Sequence, residues 1–162
     1  MSNTLESFLK RLDGSRYSTF LIAEYLHKRG YSVRIPAFDY RDESSDWRDH
    51  VDDGDIYISK GSKEHRIDVK HLGAEFTSEK DYPYETMLIA NAASVERANP
   101  FPLAYILLNK QATHIAIIWG KTRATWKDVT YFAKNTQTNV TSKYCTLDCV
   151  EFRPLDIRGK ND

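Results

Sequence analysis

Gly54-Asp55-Ile56-Tyr57-Ile58-Ser59-Lys60 and His65-Arg66-Ile67-Asp68-Val69-Lys70-His71 alternate polar and apolar residues on either side of Gly61-Ser62-Lys63-Glu64. Two alternating runs about a polar turn predict a β-hairpin. An even-length loop of two or four residues is read as pairing Lys60 with His65, which sets Asp55 opposite Lys70 and Tyr57 opposite Asp68. Side chains repeat with period two, so Asp55, Asp68 and Lys70 share one face at one end of the hairpin. Ile56, Ile58, Ile67 and Val69 fall on the other face, where a core wants them. A slip of one residue would bury the acids and expose the isoleucines, so the apolar pattern itself argues for this arrangement.

Directly opposed residues on paired strands have Cβ atoms about 5 Å apart, and diagonal ones roughly 7–8 Å apart. Two carboxylates at such a spacing are able to hold one divalent cation, with an ammonium group beside it. A hard cation such as Mg²⁺ takes oxygen ligands, usually one or two carboxylates completed by water and substrate phosphate. The plainer reading is a cross-strand ion pair between Asp55 and Lys70 with Asp68 merely solvated.

Gly54-Asp55 on one strand, followed after a turn by Asp68-Val69-Lys70 on the next, resembles the PD-(D/E)XK nuclease superfamily. That superfamily includes restriction endonucleases and Holliday-junction resolvases. The resemblance covers about residues 14–73. It implies an α/β fold, a restriction-endonuclease-like central mixed β-sheet flanked by helices, spanning residues 1–162 as one domain. It also implies a metal-dependent nuclease that hydrolyses DNA phosphodiester bonds with Mg²⁺ (or Mn²⁺). Asp55 and Asp68 become the metal ligands, the Val69 carbonyl a further ligand, and Lys70 the catalytic lysine. A homodimer and a phage or mobile-element setting follow from the same analogy. A catalytically inactive nuclease-fold module that binds nucleic acid or a protein partner is the alternative. An unrelated α/β interaction protein is the third reading.

A helix is expected before the hairpin, over about Arg16 to Arg29, with Leu21, Ile22, Tyr25 and Leu26 as its apolar stripe and Gly30 as its stop. Resolvase-type members carry a metal-linked glutamate about one turn into this helix. Here that neighbourhood holds Ser18 and Thr19, and the helix's one acid is Glu24. Glu24 therefore has two readings, a fourth member of the metal and catalytic set or a surface glutamate paired with Lys28 at i+4. Glu6 is a weaker candidate. A shorter helix is expected over Thr4 to Leu12, and a strand over Tyr31 to Ile35, ended by Pro36.

The rest of the chain keeps an α/β rhythm. Met87 to Ala90 is ambiguous between strand and helix, Ala92 to Ala98 predicts a brief helix, and Leu103–Leu108 and Thr113–Trp119 predict strands buried on both sides. Trp126 to Lys134 fits helix or strand, and Tyr144–Leu147 and Val150–Phe152 are late strands.

At 162 residues, with 41% hydrophobic and 28% charged, the chain is one domain's worth of ordinary globular protein. No apolar run reaches the roughly 18 residues of a membrane span, and the start lacks a signal-peptide pattern, which predicts a cytoplasmic protein. Cys145 and Cys149 have no second pair to complete a zinc site. Equal numbers of basic and acidic residues, 23 each, give no net charge where a DNA-binding protein often has a basic excess. An acidic stretch from Asp39 to Asp55 offsets basic clusters at Lys10–Arg34 and Lys121–Lys134. No phosphate-cradling glycine loop, dinucleotide fingerprint or serine elbow is present.

Overall fold

The computed structural model describes residues 17–36 and 55–156. The helix expected at Thr4–Leu12, Glu6, and the acidic stretch ahead of Asp55 lie outside them. Helix α1 occupies residues 17–28 and stops where expected. Gly30 sits at φ 91°, its N–H donates to His27 O at 2.9 Å, and Tyr31 N–H donates to Leu26 O at 3.3 Å. This paired closure needs a left-handed residue just past the helix, which glycine adopts without a Cβ penalty.

Strands β1 (Ser32–Arg34), β2 (Ile56–Lys60) and β3 (Lys63–His71) follow, then β4 (Thr86–Asn91), the short helix α2 (Ala92–Arg97), β5 (Ala104–Leu108) and β6 (His114–Trp119). β7 (Lys127–Ala133), β8 (Thr138–Thr146) and β9 (Val150–Pro154) are the last of the described strands. Six strands form a mixed sheet in the order β1-β2-β3-β5-β6-β9, in which β3 and β5 are parallel and the other neighbours antiparallel. A second antiparallel sheet has the order β4-β8-β7. The fold is thus α/β with a central mixed sheet, as expected.

Among the described residues, the two faces of this sheet are covered differently. On one face α1 lays Ile22, Tyr25 and Leu26 against Ile56, Ile58, Ile67, Val69, Ile106, Leu108, Ile115 and Ile117. The opposite face carries Tyr105, Leu107, Ala116 and Ile118, and these are covered by Met87, Ile89, Val95, Trp126 and Cys145. The second layer is therefore the small sheet and α2, in place of a helical layer. All five β5 residues are buried because both faces of this strand are covered.

The hairpin register differs from the sequence expectation by two residues. The loop is Gly61-Ser62 alone, with Gly61 at φ 79°, so Lys60 pairs with Lys63, Ile58 with His65, Tyr57 with Arg66 and Ile56 with Ile67. A two-residue turn of this kind requires a residue at positive φ, which Gly61 supplies. The shift is even, so every side chain keeps its predicted face. Asp55 and Asp68 become the next residues outward beyond the Ile56–Ile67 pair, which replaces the expected pairings of Asp55 with Lys70 and Tyr57 with Asp68.

Among the described residues, no helix is long and apolar enough to cross a membrane.

Candidate functional site

The site forms where the chain crosses from β3 to its parallel neighbour β5. Parallel strands need such a crossover, and here it runs through β4 and α2. β3 presents Arg66, Asp68 and Lys70 on the face away from α1, with Asp68 beside Tyr105 of β5 and Lys70 beside Leu107. The end of α2 and the Ala98-Asn99-Pro100 segment return over this patch. Between floor and crossover lies a cleft of about 160 Å³. Arg66, Asp68, Lys70 and Tyr105 line it from the sheet, and Ser94, Arg97 and Asn99 from the crossover.

Arg66 ties the floor together. Its Nε donates to Asp55 Oδ2 at 2.8 Å, its Nη2 lies 2.5 Å from the same oxygen, and its Nη1 donates to Pro100 O at 3.2 Å. Its own carbonyl accepts from Leu103 N–H at 2.8 Å, fixing the start of β5. The Arg66 and Asp55 side chains are only 10% and 14% exposed. Burial works to lower the Arg66 pKa, but the adjoining Asp55 carboxylate outweighs it, and the guanidinium is held above its ordinary value. Lys70 Nζ stands 3.2 Å from Asp68 Oδ1, with Lys70 a third exposed and Asp68 buried. Burial, reinforced by the Asp68 charge, pushes the Tyr105 phenol upward, so it stays protonated at any physiological pH.

The fold thus gathers Asp55, Asp68 and Lys70 at one end of the hairpin, with Asp55 set back behind Arg66. Val69 alternates to the opposite face, where its side chain is buried in the core under α1. Glu24 is not brought to this group. Its side chain is exposed on α1, 3.6 Å from Lys28 Nζ, and α1 covers the apolar face of the hairpin, opposite the acids. Ser18 and Thr19, near the start of the described helix, are buried hydroxyls. His71 Nε2 lies 3.0 Å from Asn109 O, which ties it to the end of β5.

Arg66 and Arg97 were missed by the sequence reading. Arg66 stands two residues from Asp68, so strand alternation alone assigns it to the acid face. Arg97 has no such signal, because it reaches the cleft only through the crossover.

The donor set suits a hard divalent cation in kind, since both carboxylates offer oxygen, Asp68 from β3 and Asp55 from the residue just before β2. Among the described residues no group of three or more His, Cys, Asp and Glu side chains is placed to hold a metal. Protein ligation would rest on two carboxylates and a carbonyl, and each carboxylate already adjoins a cationic side chain.

A larger groove of about 650 Å³ lies at the start of β4, lined by residues including Leu72, Glu75, Phe76, Asp81 and Tyr84. Among the described residues it has no cationic lining residue. Its Asp81 carboxylate accepts from Thr77 Oγ1 at 2.6 Å and from the Thr77 and Ser78 backbone N–H groups, which hold its pKa down to about 2. The smaller cleft is the one equipped for charged chemistry.

No family model, curated protein or solved structure matches the chain.

Proposed function

We propose that this protein is a metal-dependent nuclease with a restriction-endonuclease-like fold, acting on DNA phosphodiester bonds. The observation that carries the reading is the convergence of Asp55, Asp68 and Lys70 beside a cation-rich cleft at the end of the β2–β3 hairpin. Asp55, Asp68 and the Val69 carbonyl would hold Mg²⁺ or Mn²⁺. Such an ion supplies an activated water and neutralises charge on the phosphate.

The chain's own residues do the rest. Asp68 keeps the Lys70 ammonium at the cleft, where it meets negative charge gathering on a phosphate under attack. Burial of Asp68 and Tyr105 keeps the floor poor in water, which strengthens that interaction. Arg66 holds Asp55 and the crossover in fixed relation, so the cleft is formed before any ligand arrives.

The test is nicking of supercoiled plasmid, together with linear, branched and single-stranded DNA, in Mg²⁺ and in Mn²⁺. Cleavage abolished by EDTA and by Asp68→Ala and Lys70→Ala supports the reading. No cleavage of any substrate by the wild-type protein overturns it. A second reading, an inactive nuclease-fold module that binds nucleic acid, draws support from the ion pairs that already balance both carboxylates.

A further inference from the structure

Arg97 is placed by its helix. α2 is capped by Asn91, whose side chain accepts from Ala93 N–H at 2.9 Å, and Val95 is fully buried beneath it. Successive helical residues point about 100° apart, so Val95, Glu96 and Arg97 leave α2 in three directions. Val95 enters the core, Glu96 lies 3.4 Å from Lys143 Nζ, and Arg97 lines the cleft. Val95 and Glu96 are thereby spent on anchoring the helix. Arg97 itself is exposed and takes part in no hydrogen bond or ion pair among the described residues.

Among the described residues, the cleft's lining carries more cations than anions. Arg66, Lys70 and Arg97 line it against one lining carboxylate, Asp68. Arg66 is committed to Asp55 and Pro100, and Lys70 to Asp68, which among the described residues leaves Arg97 as the uncommitted cation on the opposite wall. A guanidinium offers a planar fork of donors that matches two phosphate oxygens, and it keeps its charge at any relevant pH. Ser94 and Asn99 add neutral polar side chains on the same wall.

The geometry points to Arg97 as a positioning residue that grips the DNA phosphodiester backbone across the cleft from Lys70. This rests on the DNA-directed reading above. Contacts to phosphate carry no sequence information, so the grip sets register and orientation and leaves sequence preference untouched.

Fluorescence anisotropy with a labelled 20-base-pair duplex, in Ca²⁺ and in EDTA across a salt series, tests it. Each phosphate contact adds about 0.9 to the slope of log affinity against log salt on duplex DNA. Arg97→Ala should lower that slope by about 0.9 and weaken binding about tenfold at low salt, equally for unrelated sequences. Arg97→Lys should restore the slope, because the charge remains. In the plasmid assay KM should rise more than kcat falls. An unchanged slope in Arg97→Ala overturns the assignment, as does a wild-type protein that binds no duplex in either condition. Cleavage with an unchanged slope would sink the clamp and spare the nuclease reading. Binding with the expected slope change but no cleavage would do the reverse. A thermal melt of Arg97→Ala that matches wild type excludes misfolding as the cause.

Discussion

Replacing Arg66 with methionine removes one partner of a pair whose side chains are 10% and 14% exposed, leaving Asp55 charged in a largely dry setting. At the 2.8 Å separation, Coulomb's law with an effective dielectric constant of about 20 gives a gross attraction of about 6 kcal/mol. Desolvation of both ions consumes much of that in the intact pair, yet the single replacement keeps the desolvation of Asp55 and removes the Arg66 charge that offset it. The measured cost of breaking such a pair is about 3–5 kcal/mol. The Pro100 carbonyl also loses its donor, so the crossover is freed as well. In a domain of this size the loss should lower the melting temperature by about 10 °C.

Arg66→Met combined with Asp55→Asn also removes the buried carboxylate charge and should be more stable than Arg66→Met alone. Urea unfolding of wild type, both single variants and the double variant reads the coupling directly. If Arg66→Met loses less than about 1 kcal/mol, or if the second change brings no recovery, the claim that this pair organises the floor is wrong.

Three further outcomes follow from local geometry. A Cβ built on Gly120 lies 2.2 Å from the Pro102 carbonyl oxygen, a backbone atom. Gly120→Ala should therefore force a main-chain shift and cost about 1–3 kcal/mol or more in chemical denaturation. Asp81 is held at about 2, below its usual 3.8, first by the Thr77 hydroxyl. A depressed carboxylate stabilises the fold above its unfolded pKa, so this contribution is full above about pH 4 and is lost as pH falls toward about 2. Thr77→Val should raise the Asp81 pKa in an NMR titration while the two backbone donors keep it below 3.8. Burial pushes the Cys145 thiol up to about 12, whereas Cys149 is partly exposed. The thiolate is the reactive form, so a thiol reagent at pH 8 should modify Cys149 in the native protein and Cys145 only after unfolding.

Where the chemistry depends on strand alternation, it was legible. The apolar side of Ile56, Ile58, Ile67 and Val69 fixed the polar side of Asp55, Asp68 and Lys70, and a register error of two residues left that assignment intact. The loop length was the weak point, because Gly61-Ser62-Lys63-Glu64 is polar throughout and nothing local says that Lys63 and Glu64 belong to the strand. The apolar stripe of α1 was equally clear. Which face of the sheet it covers is a tertiary choice, and that choice leaves Glu24 on the far side from the acids. Trp126–Lys134 stayed ambiguous for a physical reason. Lys127 to Phe132 are exposed on both faces of β7, so no burial pattern imprints a period on the sequence.

The cleft wall was beyond reach for a related reason. Arg97 and Asn99 come to Asp68 only because β3 and β5 are parallel, which obliges the intervening chain to climb over the sheet and descend beside its starting strand. The same crossover bears on the absence of net charge, which argues against DNA as a partner if charge is averaged over the molecule. Electrostatic steering depends on where charge lies, and charges beyond about 10 Å are largely screened at 0.1 M salt. Asp128 and Glu96 are paired with Lys143, and Glu64 with Arg34. Local pairing cancels charge there, and in the cleft Arg66 is matched by Asp55 and Lys70 by Asp68, which among the described residues leaves Arg97 unmatched. A neutral chain is therefore compatible with a locally unmatched cation at the cleft, and the salt slope of Arg97→Ala measures that cation without reference to the total.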